Sequence, residues 1–143
     1  MKEQDRLFCL EILDFMQTNH GDKTKYFNGP AEDALLDPNM KIKYRTLIQN
    51  PRDFSQIRKK LKSNSYKNIA AFQEDVTLCL ENCKLFCKDH YPDIANIAQN
   101  LQKLFKTQMR KTEKEIRASQ AESDVALSGG GGPSRNVSAV YLD

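Results

Sequence analysis

The stretch from residue 19 to 51 constrains the fold more than any other feature of the sequence. Helical periodicity is lost in it, and it contains Gly29, Pro30, Pro38 and Pro51. Its larger apolar side chains are Tyr26, Phe27, Leu35, Leu36, Met40, Ile42, Tyr44, Leu47 and Ile48. Because a disordered linker is poor in such side chains, we expect an ordered loop that packs against helices. Ordered connections of this length are usually functional.

Apolar side chains recur at helical spacing on both sides of this loop. The pattern predicts four helices, over residues 3–18, from Asp53 as N-cap to about 62, over 68–86, and from Pro92 to Ile116. The connections between the last three helices are short, which implies antiparallel neighbours. The predicted fold class is therefore all-α, an antiparallel four-helix bundle with a long ordered loop between helices 1 and 2.

The chain divides into two predicted segments. Residues 1–117 form the bundle, and residues 118–143 form a flexible tail that contains Ser128 followed by four glycines. No apolar run is long enough to span a membrane, and the charged N-terminal residues do not fit a signal peptide. We therefore expect neither a membrane protein nor a secreted one.

The charge balance gives no argument for a nucleic-acid partner. Among 143 residues the net charge is only +3, too small to indicate nucleic-acid binding by itself. The basic cluster at residues 58–60 is explained more simply as the solvated face of a helix. We therefore expect no direct contact with DNA.

The cysteines and histidines do not form a recognisable metal or catalytic motif. Three of the four cysteines follow one another at intervals of four residues: Cys79, Cys83 and Cys87. The outer two would lie ~12 Å apart along a helix, too far for three thiolates to bind one zinc ion. His20 and His90 fall in predicted loops, and no phosphate-binding glycine loop or HExxH motif is present. We expect reduced, buried thiols, no metal or other cofactor, and no enzyme activity.

Three segments follow a known sequence pattern, and residues 51–61, 65–86 and 93–105 together resemble the bromodomain family. Residues 51–61 are similar to its P-M-D-L-x-T-I-x-x-K-L segment, and residues 65–86 resemble the pattern around its third helix. Residues 93–105 are similar to the start of its last helix. The matching residues of the third helix are Phe72, Asp75, Val76, Leu78, Asn82 and Cys83. The resemblance extends over about residues 5–112.

The resemblance implies a left-handed four-helix bundle that binds acetylated lysine at one end. The implied pocket lies between the long first loop and the loop that joins the last two helices. Carried over residue by residue, its lining consists of Phe27, Pro30, Ala31, Leu36, Tyr44, Phe86, Cys87 and Ile94. The resemblance makes Phe27 an aromatic floor, Tyr44 a partner for a pocket water and Ile94 a residue at the mouth.

This sequence departs from the family pattern at the end of the third helix. The family has Tyr-Asn there, and the Asn amide donates a hydrogen bond to the acetyl oxygen. This chain has Phe86 and Cys87 instead. Because a thiol is a weak donor, we expect affinity for acetyl-lysine to fall about tenfold or more.

Two functions follow as hypotheses. The first is a nuclear, chromatin-associated reader that binds acetylated histone tails or other acetylated proteins, weakly or with an atypical preference. The second is a degenerate bromodomain that acts as a protein-interaction scaffold without binding acetyl-lysine. Other chromatin-complex subunits are a further class of partner that the resemblance allows.

Overall fold

The computed structural model describes residues 1–19 and 24–129, and their regular structure is helical. The α-helices are α1 (Glu3–Asn19), α2 (Pro38–Leu47), α3 (Phe54–Lys62), α4 (Ile69–Cys87) and α5 (Pro92–Gly129). A short 3₁₀ turn at Ala31–Ala34 precedes α2. The predicted all-α helical bundle is confirmed. None of the described helices has both the length and the apolar character that crossing a bilayer requires.

The chain forms two compact units, residues 1–105 and residues 106–143. In the first unit, α1 packs against α3 and α4, and α3 packs against α4. The side chains of its core come from α1, α3, α4 and α5: Leu13, Met16, Phe54, Ile57, Leu61, Phe72, Val76, Leu80, Ala98 and Leu101. In the second unit, the described residues continue α5 as far as Gly129.

Side-chain caps fix where α3 and α4 begin. Asp53 accepts a hydrogen bond from the Gln56 backbone, and the Gln56 side chain accepts one from the Asp53 backbone, which forms a capping box. Asn68 caps α4 by accepting from the backbone N–H of Ala71. Between the two helices, Asn64 adopts a left-handed conformation with φ of 53°, which suits the residue that ends a helix. These starts agree with the sequence predictions.

The long loop contains a helix that the sequence analysis missed. Asp37 accepts a hydrogen bond from the backbone N–H of Asn39, and Pro38 occupies the first turn of α2. Proline is favoured at that position because its missing N–H needs no partner there. Pro38 was interpreted as an interruption of the helical pattern, whereas it starts one. The order predicted for this loop is confirmed within its described residues, since Phe27, Tyr44 and Ile48 are buried.

The predicted end of the last helix at Ile116 was wrong, because α5 continues to Gly129. Residues 110–122 are mostly Arg, Lys, Glu, Gln and Ala, which are strong helix formers. Glu113 also precedes Arg117 by four residues, a spacing that stabilises an exposed helix. The division at residue 117 stays a prediction, and residues 130–143 of the predicted tail lie outside the described residues.

Asp75 joins three elements of the first unit through polar contacts. Its carboxylate accepts hydrogen bonds from Tyr66 Oη at 2.7 Å, Lys60 Nζ at 3.0 Å and Arg52 Nε at 3.1 Å. Burial opposes ionisation of Asp75, but the three donors outweigh it and lower the pKa of the carboxyl group. The cluster ties α4 to α3 and to the segment that leads from the long loop.

Candidate functional site

A cavity of about 380 Å³ opens at one end of the first unit. The long loop, α2, the C-terminal half of α4 and the start of α5 supply its walls. The lining residues are Tyr26, Phe27, Ala31, Ala34, Leu35, Leu36, Asp37, Tyr44, Arg52, Cys79, Cys83, Phe86, Cys87, Tyr91 and Ile94. The lining is largely apolar, with a few polar groups, as is usual for small-ligand pockets.

Backbone and ring contacts hold Phe27 in the loop wall of this cavity. The backbone N–H of Phe54, at the start of α3, donates to the Phe27 carbonyl at 2.6 Å. The two rings also pack, with centroids 5.8 Å apart. Nearby, Gln17 Nε2 of α1 donates to Asn28 Oδ1 at 2.7 Å. The loop is therefore fixed to α1 and α3 beside the cavity.

Tyr44 and Phe86 form the contact between α2 and the end of α4. Their rings meet edge to face, with centroids 5.2 Å apart and planes 80° apart. Ile48 and Cys87 complete the buried cluster beneath the cavity. Burial, reinforced by nearby thiols, raises the pKa of Tyr44 to about 12. The phenol therefore stays protonated at neutral pH and can both donate and accept a hydrogen bond.

Cys83 and Cys87 lie one helical turn apart on α4 and both line the cavity. Cys83 Sγ donates to Cys87 Sγ at 3.8 Å and lies 4.0 Å from the carbonyl oxygen of Ile94. Donation to Cys87, together with burial, raises the pKa of Cys83. The same contact lowers the pKa of Cys87, against the effect of burial. Because Cys87 accepts from Cys83, its own S–H can point toward a guest in the cavity.

The connection between α4 and α5 is short, and backbone hydrogen bonds hold it beside the cavity. The Tyr91 N–H donates to the Cys87 carbonyl at 2.7 Å, and the Ile94 N–H donates to the Tyr91 carbonyl at 3.0 Å. Pro92 begins α5 directly after Tyr91. This tight turn brings Tyr91 and Ile94 to the cavity wall opposite the long loop.

The rim of the cavity is more polar and more exposed than its base. Leu36 is 93% exposed although it lines the cavity. Asp37 is exposed, and its carboxylate caps α2. Arg45 of α2 forms an ion pair with Glu32 of the 3₁₀ turn, which links the two elements of the loop. Arg52 also reaches the cavity lining, and its Nε is bound to Asp75.

Most of the site residues inferred from the sequence lie together around this cavity. Phe27, Ala31, Leu36, Tyr44, Phe86, Cys87 and Ile94 all line it. Pro30 is not among the lining residues. It immediately precedes the 3₁₀ turn, where its carbonyl accepts from the Asp33 N–H at 3.0 Å. Its restricted φ starts that turn, so Pro30 shapes the wall rather than forming it.

Several lining residues were missed by the sequence reasoning. Cys79 and Cys83 were interpreted as a buried thiol stripe, although their spacing from Cys87 already indicated a shared helical face. Arg52 and Tyr91 gave no comparable signal, because each reaches the cavity from outside a helix. Across residues 1–19 and 24–129, no three His, Cys, Asp or Glu side chains come close enough to hold a metal ion.

Comparisons with known proteins agree with the helical fold. The family model described as Bromodomain matches residues 9–100. Bromodomain adjacent to zinc finger domain protein 2B from Homo sapiens is 35% identical over 113 residues, covering 78% of this chain and 5% of that protein. Chromatin structure-remodeling complex subunit RSC1 from Saccharomyces cerevisiae is 37% identical over 78 residues, covering 54% of this chain and 8% of that protein. The chain thus spans a small part of these relatives.

The chain also resembles a solved structure in its three-dimensional fold. The second bromodomain of Candida albicans Bdf1, in its unbound form, superimposes with a TM-score of 0.65 at 27% identity. The match covers 76% of this chain and 98% of that structure. With the family model matching nearly two thirds of its residues, this chain belongs to the bromodomain family.

Proposed function

We propose that this chain is a nuclear, chromatin-associated reader that binds acetylated lysine in histone tails or other acetylated proteins, at low affinity. The single observation that carries the proposal is the cavity of about 380 Å³ bounded by Phe27, Tyr44 and Ile94. Relatives with chromatin names, among them a chromatin structure-remodeling complex subunit, support the cellular setting. Subunits of such complexes are a further class of partner.

The apolar lining of the cavity distinguishes a charged lysine from an uncharged, acetylated one. An unmodified lysine carries an ammonium, and moving it unpaired into an apolar slot costs several kcal/mol. Of the described residues that line the cavity, Asp37 alone carries a carboxylate, and it is exposed and already caps α2. Acetylation removes the charge and leaves a small amide that ends in a methyl group. The pocket therefore favours acetylated over plain lysine before any specific hydrogen bond is counted.

Two groups at the base of the cavity can meet the acetyl amide. The Tyr44 hydroxyl stays protonated and can bind the acetyl oxygen directly or through a water. The Cys87 S–H, which is not used in the contact with Cys83, is a weak donor. An amide donor in the same position would add ~1–3 kcal/mol, so we expect affinity to be about tenfold or more below that of a pocket with asparagine.

A different observation favours the scaffold function as a second candidate. A groove of about 550 Å³ lies between α2 and the end of α4, on the other side of Phe86 from the cavity. Ile42, Leu47 and Leu85 line it and are 59%, 46% and 42% exposed. Exposed apolar side chains in one groove are typical of protein-interaction surfaces. A scaffold would bind through this groove whatever the acetylation state of its partner.

The decisive experiment measures peptide binding with and without the acetyl group. Histone-tail peptides are arrayed in plain and acetylated forms, and hits are titrated by fluorescence polarisation. The reader function predicts that acetylation strengthens binding, that Tyr44→Phe weakens the acetylated complex, and that Leu85→Ala leaves it unchanged. Equal binding of both forms across the array, abolished by Leu85→Ala, would favour the scaffold and refute the reader.

A further inference from the structure

The cavity wall contains a pair of neighbouring thiols, Cys83 and Cys87. Cys83 Sγ and Cys87 Sγ lie 3.8 Å apart, and both side chains line the cavity. Both are free thiols, as are Cys9 and Cys79. Two sulfurs that face one cavity at this distance can both bind the same atom.

Closing this pair into a disulfide would distort α4. Residues four apart on a helix have Cβ atoms about 5–6 Å apart, whereas a disulfide needs about 3.5–4.5 Å. The last turn of α4 is fixed by hydrogen bonds from the Lys88 N–H to the Lys84 carbonyl at 3.1 Å and from the Tyr91 N–H to the Cys87 carbonyl at 2.7 Å. The pair is therefore better suited to hold an atom between its sulfurs than to join them directly.

The number of available ligands decides which kind of ion fits. With metal–sulfur bonds of ~2.3 Å, two sulfurs can reach one ion while up to ~4.6 Å apart, so the 3.8 Å spacing is compatible with a shared ion. A structural zinc ion needs four protein ligands, and the described residues bring no third His, Cys, Asp or Glu to the pair. A soft monovalent ion such as Cu⁺ favours thiolate and is satisfied by two sulfurs.

We propose that Cys83 and Cys87 bind one soft monovalent metal ion of the copper(I) class between their sulfur atoms. Two S–H bonds break, two metal–sulfur bonds form, and two protons pass to solvent, with no change in the oxidation state of the metal or of sulfur. The side chains of Phe86 and Ile94 line the same cavity and present apolar surface there. The inference depends on the thiol pair alone and not on acetyl-lysine binding.

The test uses Ag⁺ as a probe, because it has the same charge and affinity for sulfur and stays monovalent in solution. The whole chain, without peptide, is titrated with Ag⁺ in the presence of excess monothiol, which competes for isolated cysteines. Bound ions are counted by native mass spectrometry, and proton release is measured by calorimetry in buffers of different ionisation enthalpy. We expect one retained ion and two protons released.

Single substitutions test whether Cys83 and Cys87 are the residues that bind the ion. Cys83→Ser and Cys87→Ser should each weaken retention at least ~100-fold, because the second sulfur acts intramolecularly at high effective concentration. Cys9→Ser, outside the cavity, serves as the matched control and should retain the ion. Circular dichroism checks folding, and Cys83→Ala replaces any serine variant that unfolds. Retention by folded Cys83 and Cys87 variants, or loss on Cys79→Ser, would overturn the proposal.

Discussion

Tyr44 of α2 packs edge to face against Phe86 of α4, with ring centroids 5.2 Å apart. This contact joins a helix from the long loop to the last turn of α4, and both residues line the cavity. One aromatic pair therefore links the packing of the loop to the shape of the cavity.

Phe86→Ala should lower the free energy of unfolding much more than a substitution at an exposed neighbour does. Removing a buried phenylalanine costs about 3–5 kcal/mol through lost burial and the cavity left behind. Urea unfolding should show that loss, whereas Leu85→Ala, at an exposed neighbour on the same helix, should change the free energy of unfolding by less than ~1 kcal/mol. Equal losses in the two variants would contradict the assigned contact.

Tyr44→Phe tests the hydroxyl separately from the ring. The ring contact with Phe86 is kept, so the free energy of unfolding should change by only about 1 kcal/mol. Affinity for an acetylated peptide should fall roughly five- to tenfold, because the acetyl amide or its bridging water loses a partner. Fluorescence polarisation measures the affinity. Unchanged affinity would mean that the hydroxyl does not face the ligand.

Cys87→Asn should increase affinity for acetylated peptide by about tenfold or more. The amide is a stronger donor than the thiol and lies at the same place in the cavity wall. Cys87→Val, which has a similar volume and no donor, is the matched control and should bind no better than the natural chain. If the asparagine variant gains nothing, or gains equally for plain peptide, the expected geometry of the pocket is wrong.

Leu36→Ala should weaken peptide binding without weakening the fold. Leu36 is 93% exposed, so its truncation should change the free energy of unfolding by less than ~0.5 kcal/mol. A bound peptide that covers the side chain would lose ~1–2 kcal/mol of apolar burial, a several-fold drop in affinity. Ile42→Ala, an exposed residue of the groove, is the control and should leave binding to the pocket unchanged.

Asp75→Asn should show that the Asp75 carboxylate contributes to the free energy of unfolding in a way that depends on pH. The pKa of Asp75 is lowered from its ordinary 3.8 against the effect of burial, by hydrogen bonds from Tyr66, Lys60 and Arg52. A lowered pKa contributes stability that is present above pH 3.8 and is lost as pH falls through the folded-state pKa.

At pH 7 the substitution should therefore cost about 2 kcal/mol, and the difference from the natural chain should shrink below pH 4. Urea unfolding at a series of pH values measures both quantities. Glu74→Gln, the exposed neighbour on α4, should show neither effect. A cost for Asp75→Asn that stays constant down to pH 2 would contradict the ionic role of this cluster.

The positions of α1, α3 and α4 were readable from the sequence because local signals determine them. Periodic apolar residues specify the buried face, and caps such as Asp53 and Asn68 use side chains three residues from their partners. α2 was missed although Asp37 and Pro38 are also a local signal, because the prolines around it were interpreted as breaks. The extent of α5 was underestimated because its end was inferred from the apolar pattern, whereas residues 110–122 are mostly strong helix formers.

The sequence by itself determined the helical fold, and through the resemblance it identified seven of the fifteen residues that line the cavity. Only the tertiary structure brought Cys83 to within 3.8 Å of Cys87 at the cavity, added Arg52 and Tyr91 to the lining and kept Pro30 out of it. The physical reason is how far apart along the chain the interacting residues lie. Helix formation depends on residues a few positions apart, whereas a cavity wall depends on how distant segments pack, and side-chain spacing along the chain does not specify that packing.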